Sequence, residues 1–391
     1  MFRYALLFSF ALTVTLEPVF KINGNQTLNE EKTTKEVFLQ NEEREEKQEE
    51  EEEKIIENEN NRSFHEEMSA IAMERVECGK YTTWFVRTVV FLPIVRFKIR
   101  GGILNLFRDL SDPADYGISN GKNFRIPTVK GSLGAWFIWP QGSSVTSLSE
   151  LRPRDTLIVY MHGNSDSRGF GDRIQLYSVL TKMGYYVLSF DYRGFGDSTK
   201  VHLSETTLVS DSLNVLTWAT NSFKKSSGKG PLLVVWGHSL GTSIATITTN
   251  KWQALDKYLI SGLVLEAAFN TMEDEAQYLG GALVSWLNLN VSAELKCADA
   301  EFRSVDYLLN ITAPTLALHA EDDTVVPVHL GKELFKSAVA GGKTNIRFIN
   351  YDKKYNLNHN HIFSATTIDQ DLKEFFYLVG NTSNADNLPT N

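Results

Sequence analysis

Cysteine is nearly absent from this chain: Cys78 and Cys297 are the only two among 391 residues. That count excludes a disulfide-stapled scaffold and a cysteine-rich metal site, and leaves open one bridge or two separate thiols. A surplus of positive charge is missing as well. The formal net charge is −9, and the stretch from Glu30 to Glu59, with fourteen Glu against five Lys or Arg, amounts to −9 by itself. The remainder is close to neutral, so no basic face is on offer to a nucleic-acid backbone. Also lacking is an uninterrupted apolar run of the roughly 20 residues that a membrane-spanning helix needs. No internal repeat is evident.

What is present falls into segments of distinct character. Phe2 to Leu16 is a short apolar run led by Arg3, the pattern of a secretory signal but without a small-x-small cleavage site. Residues 1–20 are therefore expected to be a signal peptide or an uncleaved signal anchor. Positive charge before the run and acid after it would send the rest of the chain to the lumen. Residues 21–79 are Glu-rich and poor in aromatics, too polar to offset the entropy of ordering, and are expected to form a solvated spacer. In residues 80–104, Tyr81 to Ile99 is rich in Trp, Phe and Val, with Arg87, Arg96 and Lys98 interleaved and a break at Pro93. Two readings stand equally: an interfacial helix whose basic side chains reach for lipid head groups, or a helix packed on the following domain.

From about residue 105 to 380 the pattern is that of one large folded domain, followed by a tail at 381–391. An antiparallel pair is expected around Phe124–Pro127 and Leu133–Pro140. Short apolar strands then alternate with helices: Thr156–Met161, Tyr186–Asp191, Leu232–Trp236, Leu263–Glu266, Thr315–His319 and Ile346–Asn350. Such alternation predicts an α/β fold, a mostly parallel sheet covered by helices on both faces. Residues 270–312 interrupt the alternation and are expected to form a small cap, in which the apolar stretch Tyr278 to Leu287 suits equally the lining of an acyl-chain tunnel and a cap helix packed on the core.

The domain is organised around Val234 to Thr246. A buried strand runs into Gly237-His238-Ser239-Leu240-Gly241, and small residues after it can start a helix. Strand, G-x-S-x-G, helix is the nucleophile elbow of the α/β-hydrolase fold, where a sharp turn lifts a serine hydroxyl above the sheet. A serine is a weak nucleophile at neutral pH. It needs a base to take its proton and an acid to orient that base, in the chain order Ser, acid, His.

The acid should follow the strand Thr315–His319, in Glu321-Asp322-Asp323-Thr324-Val325-Val326-Pro327. The D-x-x-V-P ending selects Asp323 over Asp322 and Glu321, because the Val-Val-Pro segment pins the turn behind the carboxylate. His319 precedes the acid and His329 begins the next helix, so neither suits the base. The base should follow the last strand, where His359 and His361 share one polar loop and both qualify. The oxyanion of the tetrahedral intermediate needs two N–H donors: Leu240, next to the nucleophile, and Asn164 in the His162-Gly163-Asn164 loop after Thr156–Met161. This chemistry needs no metal and no organic cofactor.

Taken together, Tyr160-Met161-His162-Gly163-Asn164, Phe190-Asp191-Tyr192-Arg193-Gly194-Phe195-Gly196-Asp197-Ser198, Trp236 to Thr242 and His319-Ala320-Glu321-Asp322-Asp323 resemble the membrane-associated α/β-hydrolase-domain lipases that cleave lysophosphatidylserine and monoacylglycerol. The resemblance spans roughly residues 80 to 380. It implies a catalytic histidine in the form H-x-x-I ahead of the final helix. His359-Asn360-His361-Ile362 fits that form, which selects His359. It further implies a serine esterase of single-chain lipids working at a membrane surface, either in the endoplasmic-reticulum lumen or outside the cell. Thioester or peptide hydrolysis by the same triad is the near rival, and a noncatalytic lipid-binding scaffold the distant one. Sequons at Asn25, Asn61, Asn290, Asn310 and Asn381 permit glycosylation in that compartment but are about as frequent as chance predicts.

Overall fold

The computed structural model describes residues 78, 83, 86, 90, 91, 109–223, 230–255, 258–278 and 290–385. Every described residue falls in the unit Val76–Asn391. The signal segment, the acidic spacer apart from Cys78, and the apolar cap stretch 279–289 lie outside the described residues.

Eight strands form one sheet: β1 (Gly121–Thr128), β2 (Gly131–Ile138), β3 (Thr156–Met161), β4 (Tyr186–Phe190), β5 (Leu232–His238), β6 (Ile260–Glu266), β7 (Thr315–Ala320) and β8 (Ile346–Tyr351). Their spatial order is β1-β2-β4-β3-β5-β6-β7-β8. The β1–β2 and β2–β4 pairings are antiparallel, and every later pairing is parallel. The near-continuous apolar runs of β3 and β5 follow from this position, because a central parallel strand is buried on both faces.

Side chains alternate across the sheet with the period of two that a strand imposes. Leu157, Val159 and Met161 of β3 join one apolar cluster, whereas Ile158 and Tyr160 join the other. The first cluster is covered by α2 (Glu205–Ser222), α3 (Leu240–Ala254) and α6 (Val328–Ala340), through Leu208, Ile244 and Leu334. The second lies beneath α1 (Gly171–Lys182) and α7 (Ile368–Ala385), through Leu176, Leu180, Leu372 and Phe375. Both faces are thus closed by helices, the architecture of an α/β hydrolase.

Helix α2 begins at Glu205, just after a capping serine. The Ser204 hydroxyl accepts the Thr207 N–H at 3.2 Å and so starts the helix. Over the region 270–312 the described residues include a helical stretch at 272–278, α4 (Val291–Ala298) and α5 (Ser304–Leu308).

The two cysteines form a disulfide, Cys78 to Cys297, that closes 219 residues of chain onto α4. Thr83, Val86 and Val90 are helical, Val90 and Phe91 are buried in the first apolar cluster, and the Phe91 ring meets Phe302 edge-on at 5.8 Å. For these residues the packed alternative holds; the basic part, Arg96 to Arg100, lies outside the described residues. Among the described residues no helix is long and apolar enough to cross a membrane.

Candidate active site

Strand β5 ends at His238, and α3 begins at Leu240, so Ser239 alone makes the turn. It does so at φ 55° and ψ −124°, a conformation that costs a residue with a Cβ roughly 1–3 kcal/mol. Several contacts hold it there. The Ser239 N–H donates to the Glu266 carbonyl at 2.9 Å, and the Thr242 N–H donates to the Ser239 carbonyl at 2.8 Å. The two flanking glycines are required by close approach: a Cβ on Gly237 would collide with the Gly241 carbonyl, and one on Gly241 with the Met161 carbonyl. The second contact packs the elbow against the end of β3, from which the His162-Gly163-Asn164 loop departs. A Cβ on Gly163 would stand 2.9 Å from that of Ser239, so this loop passes directly over the nucleophile.

Asp323 and His359 are bonded to each other. His359 Nδ1 is 2.8 Å from Asp323 Oδ2, and both side chains are buried. The other carboxylate oxygen, Oδ1, accepts the N–H groups of Val325 at 2.8 Å and Val326 at 2.9 Å. Burial pushes the Asp323 carboxyl up, but the His359 hydrogen bond and charge outweigh it and hold the group below its ordinary value. Asp323 is therefore charged at neutral pH and fixes the histidine ring with Nε2 turned away from it. Asn358 links the two loops. Its Oδ1 accepts from the Thr324 hydroxyl at 3.1 Å and from the His359 N–H at 2.8 Å.

The other candidates are placed elsewhere. His361 is exposed and faces Asp172 at 3.6 Å. His319 bonds the Val326 carbonyl through Nε2 at 2.9 Å, His329 is exposed, and Glu321 is exposed with a long contact to the Lys353 N–H. Ser239 and His359 line one cavity of about 420 Å³, shared with Asn164, Arg173 and Glu266. Leu240 opens α3, whose first-turn N–H groups have no acceptor within the helix. Asn164 lines the cavity beside Ser239, and Leu240 follows Ser239 directly in the chain. Among the described residues no group of three or more His, Cys, Asp or Glu is arranged to hold a metal ion.

Several site residues escaped the sequence reading. His238, beside the nucleophile, bonds the His359 carbonyl through Nε2 at 3.0 Å and so steadies the histidine loop. Burial, with the neighbouring His359, drives its pKa down to about 3, so it is neutral and its Nε2–H is the donor. Glu266 ends β6 and accepts the Trp236 indole N–H at 2.9 Å; burial raises its pKa to about 7. Arg168 is wholly buried and pairs with both Asp191 and Asp197 while its Nη2 donates to the Leu110 carbonyl at 3.1 Å. This explains the Phe190-to-Ser198 motif. Asp191 and Asp197 clamp Arg168, and Gly196, at φ 47°, has no room for a Cβ beside the Asp191 carboxylate. The clamped arginine stands just after the His162-Gly163-Asn164 loop in the chain. Arg173, one turn into α1, donates to the Ser167 carbonyl, to Ser165 at 3.0 Å and to Gly163 at 3.4 Å.

The chain is similar to known proteins. A family model described as "Hydrolase_4: Serine aminopeptidase, S33" matches residues 152–305. The lysophosphatidylserine lipase ABHD12 of Xenopus tropicalis is 34% identical over 313 residues, covering 75% of this chain and 76% of that protein. The mouse protein of the same name is 32% identical over 308 residues, 73% of each chain. Human Protein ABHD12B is 32% identical over 279 residues, covering 66% of this chain and 73% of its own. Among solved structures, an alpha-beta hydrolase from Vibrio vulnificus superposes with a TM-score of 0.53 at 18% identity, over 77% of this chain and 95% of that one, a likeness of fold alone.

Proposed function

We propose, from the premise that this chain belongs to the ABHD12 family of α/β-hydrolase lipases, that it hydrolyses the acyl ester of single-chain lipids, lysophosphatidylserine and monoacylglycerol among them. The chain is a carboxylic-ester hydrolase. The observation that carries the finer reading is the 2.8 Å hydrogen bond that joins Asp323 to His359, which lines the same cavity as Ser239.

The chemistry follows from these positions. Ser239 Oγ attacks the ester carbonyl while His359 Nε2 accepts its proton. Asp323 keeps the ring in the correct tautomer and stabilises the imidazolium. The N–H groups of Asn164 and Leu240 receive the charge that develops on the carbonyl oxygen, worth roughly 3–4 kcal/mol for each donor removed. His359 then returns the proton to the departing glycerol oxygen, the alcohol leaves, and an acyl group stays on Ser239. Water, deprotonated by the same histidine, releases the fatty acid.

The Cys78–Cys297 disulfide supports an oxidising location for the catalytic domain, the endoplasmic-reticulum lumen or the cell exterior, at a membrane surface where such lipids reside. A second reading is amide hydrolysis by the same residues, favoured by the aminopeptidase description of the matching family model.

A fluorophosphonate probe tests the nucleophile: wild-type protein is labelled and Ser239→Ala is not. Equal labelling of both would remove Ser239 from the mechanism. A panel of acyl-matched monoacylglycerol, lysophospholipid and acyl-peptide substrates tests the class. Turnover of the peptide with neither lipid touched would sink the lipase reading.

A further inference from the structure

The cavity beside Ser239 contains a charged pair that the ester chemistry does not use. Arg173 is 6% exposed, yet among the described residues it forms no ion pair. Its three hydrogen bonds all go to backbone carbonyls, those of Gly163, Ser165 and Ser167. A guanidinium carries five N–H groups, so Nε–H and one Nη1–H are left over by these bonds. A buried cation without a neutralising carboxylate is costly, and a bound anion would supply the missing counter-charge. Its neighbour Asp172 lines the same cavity with a side chain 29% exposed, its one ionic contact among the described residues being the exposed His361 at 3.6 Å. Glu266, the other acid on the cavity wall, is already engaged by Trp236.

Opposite charges on adjacent residues, both facing one cavity and not paired with each other, match a ligand that itself carries both signs. We propose that Arg173 and Asp172 form a head-group subsite next to Ser239, Arg173 taking the phosphate and Asp172 the ammonium of a lysophospholipid whose head group bears both. The subsite rests on the lysophospholipid part of the function proposed above and names the residues that select within it. Arg173 suits the phosphate because the Nε–H and the Nη1–H that its carbonyl bonds leave over can each donate a charge-assisted hydrogen bond to an anionic oxygen. Its carbonyl bonds pin the guanidinium to the oxyanion loop, so a phosphate held there is registered against the reacting carbonyl. A monoacylglycerol offers no charge to either residue and gains nothing from the pair.

The experiment compares kcat/KM of the full chain for three acyl-matched substrates: lysophosphatidylserine, lysophosphatidylglycerol and monoacylglycerol. Arg173→Gln is expected to lower both lysophospholipids relative to monoacylglycerol by roughly ten- to a hundredfold, and Arg173→Lys to recover most of that ratio because the charge returns. Asp172→Asn is expected to lower lysophosphatidylserine relative to lysophosphatidylglycerol by roughly three- to tenfold, since only the former carries an amine. An equal loss on all three substrates in both Arg173 variants would overturn the phosphate role and leave Arg173 a loop-positioning residue. An unchanged serine-to-glycerol ratio in Asp172→Asn would overturn the amine role.

A second measurement needs no lipid turnover and no Arg173 variant. Glycerophosphoserine should compete with p-nitrophenyl butyrate for the wild-type enzyme and do so more weakly in Asp172→Asn; absence of competition in the wild type overturns the subsite. A wild-type enzyme that cleaves the nitrophenyl ester and monoacylglycerol but no lysophospholipid defeats the proposed substrate class instead, and the competition assay still decides the subsite.

Discussion

Ser239 should be held in place at a measurable energetic cost, and two inert variants isolate that cost. Ser239→Ala and Ser239→Gly both delete the hydroxyl, so they differ only in the Cβ. At φ 55° and ψ −124° a Cβ costs roughly 1–3 kcal/mol, whereas glycine has no such penalty. Against that gain stands the greater freedom of glycine in the unfolded chain, about 0.5–1 kcal/mol. The balance favours Ser239→Gly by about 1 kcal/mol. For a domain of about 280 residues the unfolding entropy near the midpoint is about 0.6 kcal/mol per degree, so the glycine variant should melt about 2 °C higher. Scanning calorimetry of the two variants at one pH and protein concentration reads the difference, and fluorophosphonate labelling verifies that both are inactive. A glycine variant that melts at or below the alanine variant would refute the claim that the elbow holds the nucleophile under backbone strain.

Three further outcomes are expected. His359→Ala should lose activity on the order of ten-thousandfold while His361→Ala retains most of it, read with a nitrophenyl ester; the reverse pattern would move the base to His361. Burial raises Glu266 from 4.5 to about 7, so between those values the folded protein keeps a proton that the unfolded chain has released. Stability therefore falls as pH rises through that window by up to about 3 kcal/mol and then levels off. Glu266→Gln should flatten that part of the melting-temperature profile, and parallel curves for the two proteins would contradict the assignment. Reducing Cys78–Cys297, or replacing both with serine, releases a closure of 219 residues, worth at most about 5 kcal/mol on loop entropy. An unchanged melting temperature would mean that the bridge contributes nothing to stability.

Where the sequence was readable, a local pattern carried the physics. The strands of the sheet announce themselves because β3, β5 and β6 are buried on both faces and tolerate little but apolar residues. The choice of Asp323 rested on the Val-Val-Pro that follows, and it is the Val325 and Val326 N–H groups that bind its carboxylate. The histidines were harder. His359 and His361 stand two residues apart in a polar loop, and residue type alone does not separate them. In three dimensions one is buried against Asp323 and the other exposed. Arg168 and Arg173 were illegible for a different reason. Arginine is ordinarily a surface residue, and the partners of these two are carboxylates over twenty positions away or backbone carbonyls, which leave no trace in side-chain identity. The Cys78–Cys297 bridge likewise joins positions that no spacing rule connects.

That bridge also fixes how the domain bears mechanical load. A pull on the chain ahead of Cys78 reaches α4 through the Cys297 sulfur, close in sequence to Phe302, on which the Phe91 ring rests. Tension enters through a covalent bond, so it does not first peel β1 from the edge of the sheet as it would in the reduced chain. The strand ladder that carries Ser239 is thereby shielded from traction on the amino-terminal side. Force spectroscopy before and after reduction should find a longer extension once the sulfurs part, because the 219 residues that the bridge closes then come under load.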